Sequence, residues 1–370
     1  MNTSIFSSDK LRKQFDEDFA EAKSAVKKPN ILLLGNTGVG KSSLINTIFG
    51  EKLAEVSHIK PETRGFHRYS SPECSVNIID SEGYELDNEE YFKRELNDYI
   101  SANFADLSMQ IHICWYCISI SSGRVLPFDI ENIKYLQSKE IPTAVVFTQC
   151  DNDDPEGSVA KALGDVISKN FGQGVPYFQT CNDPEINKEL DVDKLIEWSA
   201  GHISDENMRL GFIAAQRISL KEKDAAVAAR VNWYAAGAAG GCLCPIPGSD
   251  AVWLTALQVK MASDIYGIYG LDNSITKISQ SVIKGRVVSM LGKMLAGNLL
   301  KLIPGIGSVA GAAINAGVAG AITLAMGRAL GALCHTAVVE SWDGKESALG
   351  DIFTPENLNM MFDRFYQKVK

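Results

Sequence analysis

The sequence predicts an α/β domain over residues 29–203 followed by an all-α domain, rich in Gly and Ala, over residues 204–370. Three observations carry this. Apolar, β-branched runs at residues 31–34 (ILLL), 75–80 (SVNIID) and 143–147 (TAVVF) read as buried strands. The first runs into a glycine-rich loop and then into residues 43–49 (SLINTIF), whose apolar spacing suits a helix packing back on a sheet. Beyond residue 200 the strand pattern stops and helical patterns take over, first charged and then built from Gly and Ala.

The loop at residues 35–42 reads GNTGVGKS, which satisfies G-x-x-x-x-G-K-[ST]. Between a buried strand and a helix start, such a loop aims main-chain N–H groups and the positive helix end at a polyphosphate. Asn36, Thr37, Gly38, Val39, Gly40 and Ser43 line the expected cradle. Lys41 reaches the β- and γ-phosphates, and Ser42 offers its hydroxyl to Mg²⁺.

The strand at residues 75–80 ends in an acid, and residues 80–83 (DSEG) supply D-x-x-G. Asp80 would hold Mg²⁺ through water, and the Gly83 N–H would sense a γ-phosphate. Between the two motifs, residues 60–65 (KPETRG) form a polar loop with a central Thr63, suited to completing the Mg²⁺ shell in the triphosphate state; the plainer reading of Thr63 is an ordinary loop residue. The strand at 143–147 delivers residues 148–151 (TQCD), similar to the N/T-K-x-D element of GTPases. Asp151 can accept from both the ring N–H and the exocyclic amino group of guanine, a donor pair that adenine lacks. Gln149 stands where that element usually has Lys, so guanine specificity with weakened affinity is expected. Thr148 opens the element. Residues 179–181 (QTC) occupy the place of an S-A-K base loop, which nominates Thr180 and Cys181.

Together these elements resemble the Era-like branch of the small GTPases over residues 30–200. The resemblance implies a doubly wound P-loop GTPase domain with GTP at the carboxyl ends of the strands, Lys41, Thr63 and Gly83 in catalysis, Ser42, Thr63 and Asp80 at the metal, and a switch that is on with GTP and off with GDP. Tyr84 follows D-x-x-G where Ras-like members have a water-orienting Gln, so intrinsic GTP hydrolysis should be slow. Gly38 occupies the position of the Asn carried by potassium-dependent members, so no potassium requirement is expected. Rival readings are a non-hydrolysing GTP-binding scaffold, a membrane-remodelling GTPase, and an ATP-dependent P-loop enzyme in which Asp151 is incidental.

The chain has 370 residues, 45% hydrophobic and 22% charged, enough for two domains with sizeable cores, and a formal net charge of −9 that disfavours a nucleic-acid partner. The start lacks a basic head followed by an apolar run, so no secretory signal is expected. Phe15, Phe19, Ala22 and Val26 fall at helical spacing, which predicts an amphipathic helix over residues 1–28; its polar side is mixed in sign, which favours packing on the GTPase domain over lying on a membrane surface. The eight cysteines read as reduced thiols of a cytoplasmic protein. Cys114 and Cys117 lie in one apolar strand and point to opposite faces, and Cys242 and Cys244 have no second ligand pair at zinc spacing.

In the second domain, residues 208–231 read as one long helix. IPG recurs at residues 246–248 and 303–305, each flanked by helical patterns, which predicts two related hairpins. Residues 302–327 contain no charge, a span long enough to cross a bilayer, and Gly307/Gly311, Ala316/Gly320 and Gly317/Ala321 form small-x-x-x-small pairs. Two readings fit: a hairpin that engages the inner membrane or a second copy, and a tightly packed helical core. The region resembles a poorly characterised helical domain that accompanies Era-like GTPases in bacteria. From Thr354 onward the tail reads as a short charged helix.

Overall fold

The structure, a computed structural model, describes residues 8–25, 27–50, 65–71, 74–81, 89–103, 106, 108–241, 249–271, 284–291, 316–342, 345 and 349–369. It divides into two compact units, one of Val26–Ser219 and one of Met1–Ala25 with Leu220–Lys370.

The first unit is built on a six-stranded sheet of β1 (Asn30–Leu34), β2 (Phe66–Ser70), β3 (Asn77–Ser81), β4 (Ile113–Ser119), β5 (Thr143–Thr148) and β6 (Tyr177–Gln179), in the order β2-β3-β1-β4-β5-β6. Only β2 runs antiparallel, against β3. Every residue of β1, β4 and β5 is buried, as parallel strands covered on both faces must be. Alternation along β4 divides the layers. Cys114, Tyr116 and Ile118 join a core with Phe92 and Leu96 of one helix (Glu89–Asn103), Phe128 and Ile133 of a second (Pro127–Ser138), and Leu163 and Ile167 of a third (Ser158–Phe171). Trp115 faces the opposite layer, where its ring stacks on Phe49 at 6.0 Å and its indole N–H donates to Ser199 Oγ at 3.0 Å. The doubly wound α/β class is therefore observed, and the strand order reverses at β1, the switch point where such sheets bind ligands.

Asn30 ties the opposite end of the sheet together. Its amide donates to Ser108 O (2.9 Å) and Gln110 O (2.7 Å), its Oδ1 accepts from Asn77 Nδ2 (2.8 Å), and its main-chain N–H donates to His112 Nδ1 (2.9 Å). That last bond requires His112 Nδ1 to be unprotonated, and burial pulls the imidazole pKa below its ordinary value.

Three expectations are corrected. Residues 208–231 are two helices, Glu206–Ala215 and Leu220–Gly241. Gln216 is buried in the turn between them, its Oε1 accepting from the main-chain N–H groups of Ile218 (2.8 Å) and Ser219 (2.7 Å). The first of these helices belongs with the sheet, because Phe212 packs edge-on to Phe49 and Trp115, so the division falls after Ser219 and not after residue 203. The amino-terminal helix (Ser8–Ala25) groups with the carboxyl-terminal helices instead of the GTPase domain. Phe15 and Phe19 meet Tyr266 edge-on at 6.1 and 5.5 Å, and Glu21 and Asp16 pair with Lys260 and Lys284. Val26 and the side chain of Ala22 lie outside the described residues.

The second unit packs helices Leu220–Gly241, Ser249–Tyr269 and Ala316–Trp342 through small residues. A Cβ at Gly327 would come 2.5 Å from Val231 and 2.9 Å from Met261 Sδ; one at Gly320 would come 3.2 Å from Ala235 O; one at Gly331 would come 3.2 Å from Val227. The stripe 227, 231, 235 on one helix thus lies along 331, 327, 320 on the other, antiparallel. Polar nodes join the same helices: Asp264 accepts from Arg230 Nε (2.7 Å) and Tyr234 OH (2.8 Å), and Asp224 accepts from Tyr269 OH (2.6 Å) and faces His335. Over the described residues the apolar helix runs Ala316–Trp342, continuing beyond the carboxyl end of the uncharged span 302–327; residues 302–315 of that span lie outside the described residues, as do both IPG segments, Gly307, Gly311, Cys242 and Cys244. Gly317–Trp342 is long and apolar enough to cross a membrane, and 61% of its most apolar window is buried within the unit.

Gly327→Leu should overpack the Val231–Met261 contact, lowering the stability of the second unit by about 1–3 kcal/mol while amide protection of β1 and β4 is unchanged; hydrogen exchange reads both. Because His112 has a depressed pKa when folded, its contribution is fully present above the ordinary imidazole pKa of about 6.5 and is lost as pH falls below it. Urea midpoints should therefore drop on acidification through that range, by no more than about 1.4 kcal/mol per pH unit from this group, and His112→Leu should be less stable at pH 8 and lack this component.

Candidate nucleotide site

The loop after β1 owes its course to its glycines. Gly35, Gly38 and Gly40 have φ of +138°, +79° and +96°. At Gly35 the demand is also steric, since a Cβ there would lie 2.3 Å from the carbonyl oxygen of Cys117 on β4. The following helix, Lys41–Phe49, begins at once: Leu44 N donates to Gly40 O (2.9 Å), so the amides of Lys41, Ser42 and Ser43 form its first turn, with no acidic residue among them. Lys41 is buried to 8% exposure, and its Nζ donates to Gly35 O (2.9 Å) and Asn36 O (3.3 Å) inside the loop. The Asn36 side-chain oxygen is buried without a hydrogen-bond partner, and Thr37 and Gly38 are exposed.

Asp80 is the penultimate residue of β3, in register with Leu33, and Ser81 Oγ donates to Leu33 O (3.3 Å). Burial pushes the Cys117 thiol up to about 12, with Lys41 opposing and Asp80 adding to the shift. The P-loop and the acid of D-x-x-G thus leave neighbouring paired strands at their carboxyl ends, β1 and β3. Thr63, Gly83 and Tyr84 lie outside the described residues.

The third element joins the same surface. Thr148 is buried and its hydroxyl donates to Val39 O, and the Gln149 amide donates to Gly38 O at 3.4 Å. Gln149, with φ +59°, is itself held by the hydroxyls of Ser119 (2.6 Å) and Ser121 (3.1 Å), which donate to its Oε1. Asp151 follows in a 3-10 turn (Cys150–Asn152) and is exposed, so rejecting the wrong base through a buried, unpaired carboxylate requires the base itself to cover it. Thr180 and Cys181 are brought beside this turn by Cys150 N donating to Thr180 O (3.1 Å). Their polar groups are engaged locally. Thr180 Oγ1 donates to Phe147 O (3.0 Å), the Cys181 N–H donates to Asn187 Oδ1 (3.1 Å), and its thiol faces Asp183 O. All six described cysteines are free, with Cys114 and Cys117 fully buried.

Sequence reasoning missed Ser119, Ser121 and Asn187. The run ISISS at residues 118–122, at the end of β4, offers a weak signal for the first two, because polar residues interrupt an otherwise apolar strand there. Nothing local marks Asn187. Asp153 was also unforeseen; its carboxylate accepts from the amides of Val159 (3.1 Å) and Ala160 (2.8 Å), capping the next helix from across a loop.

Residues 30–149 match the protein family described as "50S ribosome-binding GTPase". The chain is similar to septin-8 of Homo sapiens, 26% identical over 190 residues that cover 44% of this chain and 38% of that protein. It is similar to GTPase Era of Clostridium tetani, 25% identical, covering 45% of this chain and 53% of Era, and to the probable GTP-binding protein EngB of Aquifex aeolicus, 27% identical, covering 44% and 87%. The septins and Era are thus matched over about half their length or less. Among solved structures, a probable GTP-binding protein engB is 18% identical, with a TM-score of 0.34, covering 47% of this chain and 98% of that one. Toc33 from Arabidopsis thaliana in complex with Mg²⁺ and GMPPNP is 21% identical, with a TM-score of 0.32, covering 47% and 79%. Over residues 30–149 the chain is therefore similar to P-loop GTPases, with relatives among Era, EngB and the septins at low identity.

Proposed function

We propose that the chain binds GTP and GDP with Mg²⁺ and hydrolyses GTP slowly to GDP and phosphate, as a switch for its carboxyl-terminal helical unit. The support is the joining of two loops far apart in sequence: Thr148 and Gln149 hydrogen-bond the P-loop at Val39 and Gly38, so a base-reading turn and a phosphate cradle share one surface. In this reading the amides of residues 36–43 and the Lys41 ammonium hold the phosphates, and Asp151 takes the two guanine donors.

Ser42 and Asp80 supply hard oxygen donors suited to Mg²⁺. Phosphate oxygens, water and, by the family resemblance, Thr63 would complete the shell. When bound, Mg²⁺ neutralises charge on the β- and γ-phosphate oxygens. Thr63 and Gly83 enter through the family resemblance, and Tyr84 in place of Gln is the reason for slow turnover. The same proposal has the helical unit meeting a second copy or the inner membrane from the cytoplasmic side; its support is the length and apolar character of Gly317–Trp342.

Lys41→Ala should raise the Kd for GDP with Mg²⁺ at least about 100-fold, a loss of ~2.7 kcal/mol; near-normal affinity by calorimetry would remove the P-loop assignment. Asp151→Asn should lose guanine nucleotides and gain xanthine nucleotides, because the amide donates where xanthine presents a carbonyl. Competition with labelled nucleotide tests this, and a wild type that binds ATP within about tenfold of GTP contradicts it.

A further inference from the structure

The helix that begins at Lys41 and Ser42 has its other end clamped by the segment that leads out of the sheet unit. The Arg217 main-chain N–H donates to Ile48 O at 2.8 Å, partnering one of the carbonyls a helix leaves open in its last turn. The Arg217 guanidinium lies against Gly50, the cap of that helix: a Cβ at Gly50 would come 2.5 Å from Nη1 and 2.7 Å from Cζ, and Gly50 has φ +86°. Lys41–Phe49 has no basic residue in its own last turn, so Arg217 supplies the cation that the negative end of the helix favours.

The clamp is stiff on both sides. Upstream, Phe212 packs against Phe49 and Trp115. Downstream, the buried Gln216 side chain holds the turn at 216–219 as one piece, accepting from Ile218 N and Ser219 N and donating to Ser219 O at 2.9 Å. The next residue, Leu220, is the first of the 22-residue helix Leu220–Gly241.

We propose that Arg217 is a positioning residue for the nucleotide site and the point at which nucleotide state is coupled to the helical unit. Resting on the nucleotide reading above, the inference is that a shift imposed by phosphate on the first turn of a rigid nine-residue helix is delivered at its last turn to Arg217, and through residues 216–219 to the helix that starts at Leu220. By linkage the coupling is reciprocal: whatever biases that helix changes nucleotide affinity by the same factor.

The test is hydrogen exchange of the full chain with GDP and with a non-hydrolysable GTP analogue, together with the Kd for GDP. In the wild type, exchange within residues 220–241 should differ between the two nucleotides by about fivefold or more. Arg217→Ala, and Arg217→Gln, which keeps the stem without the cation, should bring that difference below about twofold while β1 and β4 stay protected. If Arg217→Ala loses protection in the sheet, Arg217→Gln decides. A merely structural Arg217 would speed exchange equally in both nucleotides and keep the ratio, which overturns the proposal. A wild type that binds guanine nucleotide with no difference at residues 220–241 overturns the coupling alone, whereas one that binds none overturns the nucleotide reading and the coupling with it.

Discussion

The sheet unit depends on one close approach of main chain to main chain, Gly35 against the carbonyl of Cys117. β1 and β4 pair in parallel register up to Leu34 and Tyr116, and the chain leaving β1 must turn immediately across the end of β4. With 2.3 Å between a hypothetical Cβ and that oxygen, only glycine can make the turn there. The consequence is positional. A loop turned this tightly starts its helix at residue 41 and leaves the helix amides and Lys41 beside the strand end that carries Asp80.

From that turn the rest of the site is assembled by short polar bonds from other strands. β5 reaches the P-loop through Thr148, β4 contributes Ser119 to steady Gln149, and the loop after β6 is tied to the β5 turn through Thr180 O. Each of these side chains or carbonyls would be an unsatisfied polar group near a buried strand end if its partner moved, so the bonds specify loop positions more than they add stability. Replacing the usual Lys by Gln149 changes the polarity of this join: the amide offers one acceptor to two hydroxyls and one donor to Gly38 O, where an ammonium offers donors only.

The helical unit follows a different logic. Its cohesion comes from glycine and alanine faces that let backbones approach, with Gly327 against Val231 and Met261 as the tightest point. Such packing gains dispersion contacts at the expense of flexible, glycine-bearing helices. The polar nodes at Asp264 and Asp224 then fix which faces meet, because a buried carboxylate with tyrosine and arginine donors, as at Asp264, tolerates few alternative registers.

The strands β1, β3, β4 and β5, the P-loop and the order of the motifs were determined by sequence alone, because each rests on a local signal: an apolar run, a glycine spacing, an acid near a strand end; β2, short and half-exposed, carried none. The same was true of the opposite faces of Cys114 and Cys117, which follow from a two-residue period. Tertiary structure decided what local signals do not contain. The pattern at 208–231 has helical periodicity throughout, yet a buried glutamine side chain takes over the main-chain amides at 216–219 and breaks it. The amphipathic helix near the start shows an apolar face without showing its partner, and the rings of Phe15 and Phe19 find Tyr266 more than 240 residues away. Ser119 and Asn187 carry no motif because their role is to satisfy atoms that come near only after folding. Arg217 looks like one more charge on a helix until the end of another helix is placed beneath it, and that placement belongs to the packing of Phe49, Phe212 and Trp115, which no spacing in the chain records.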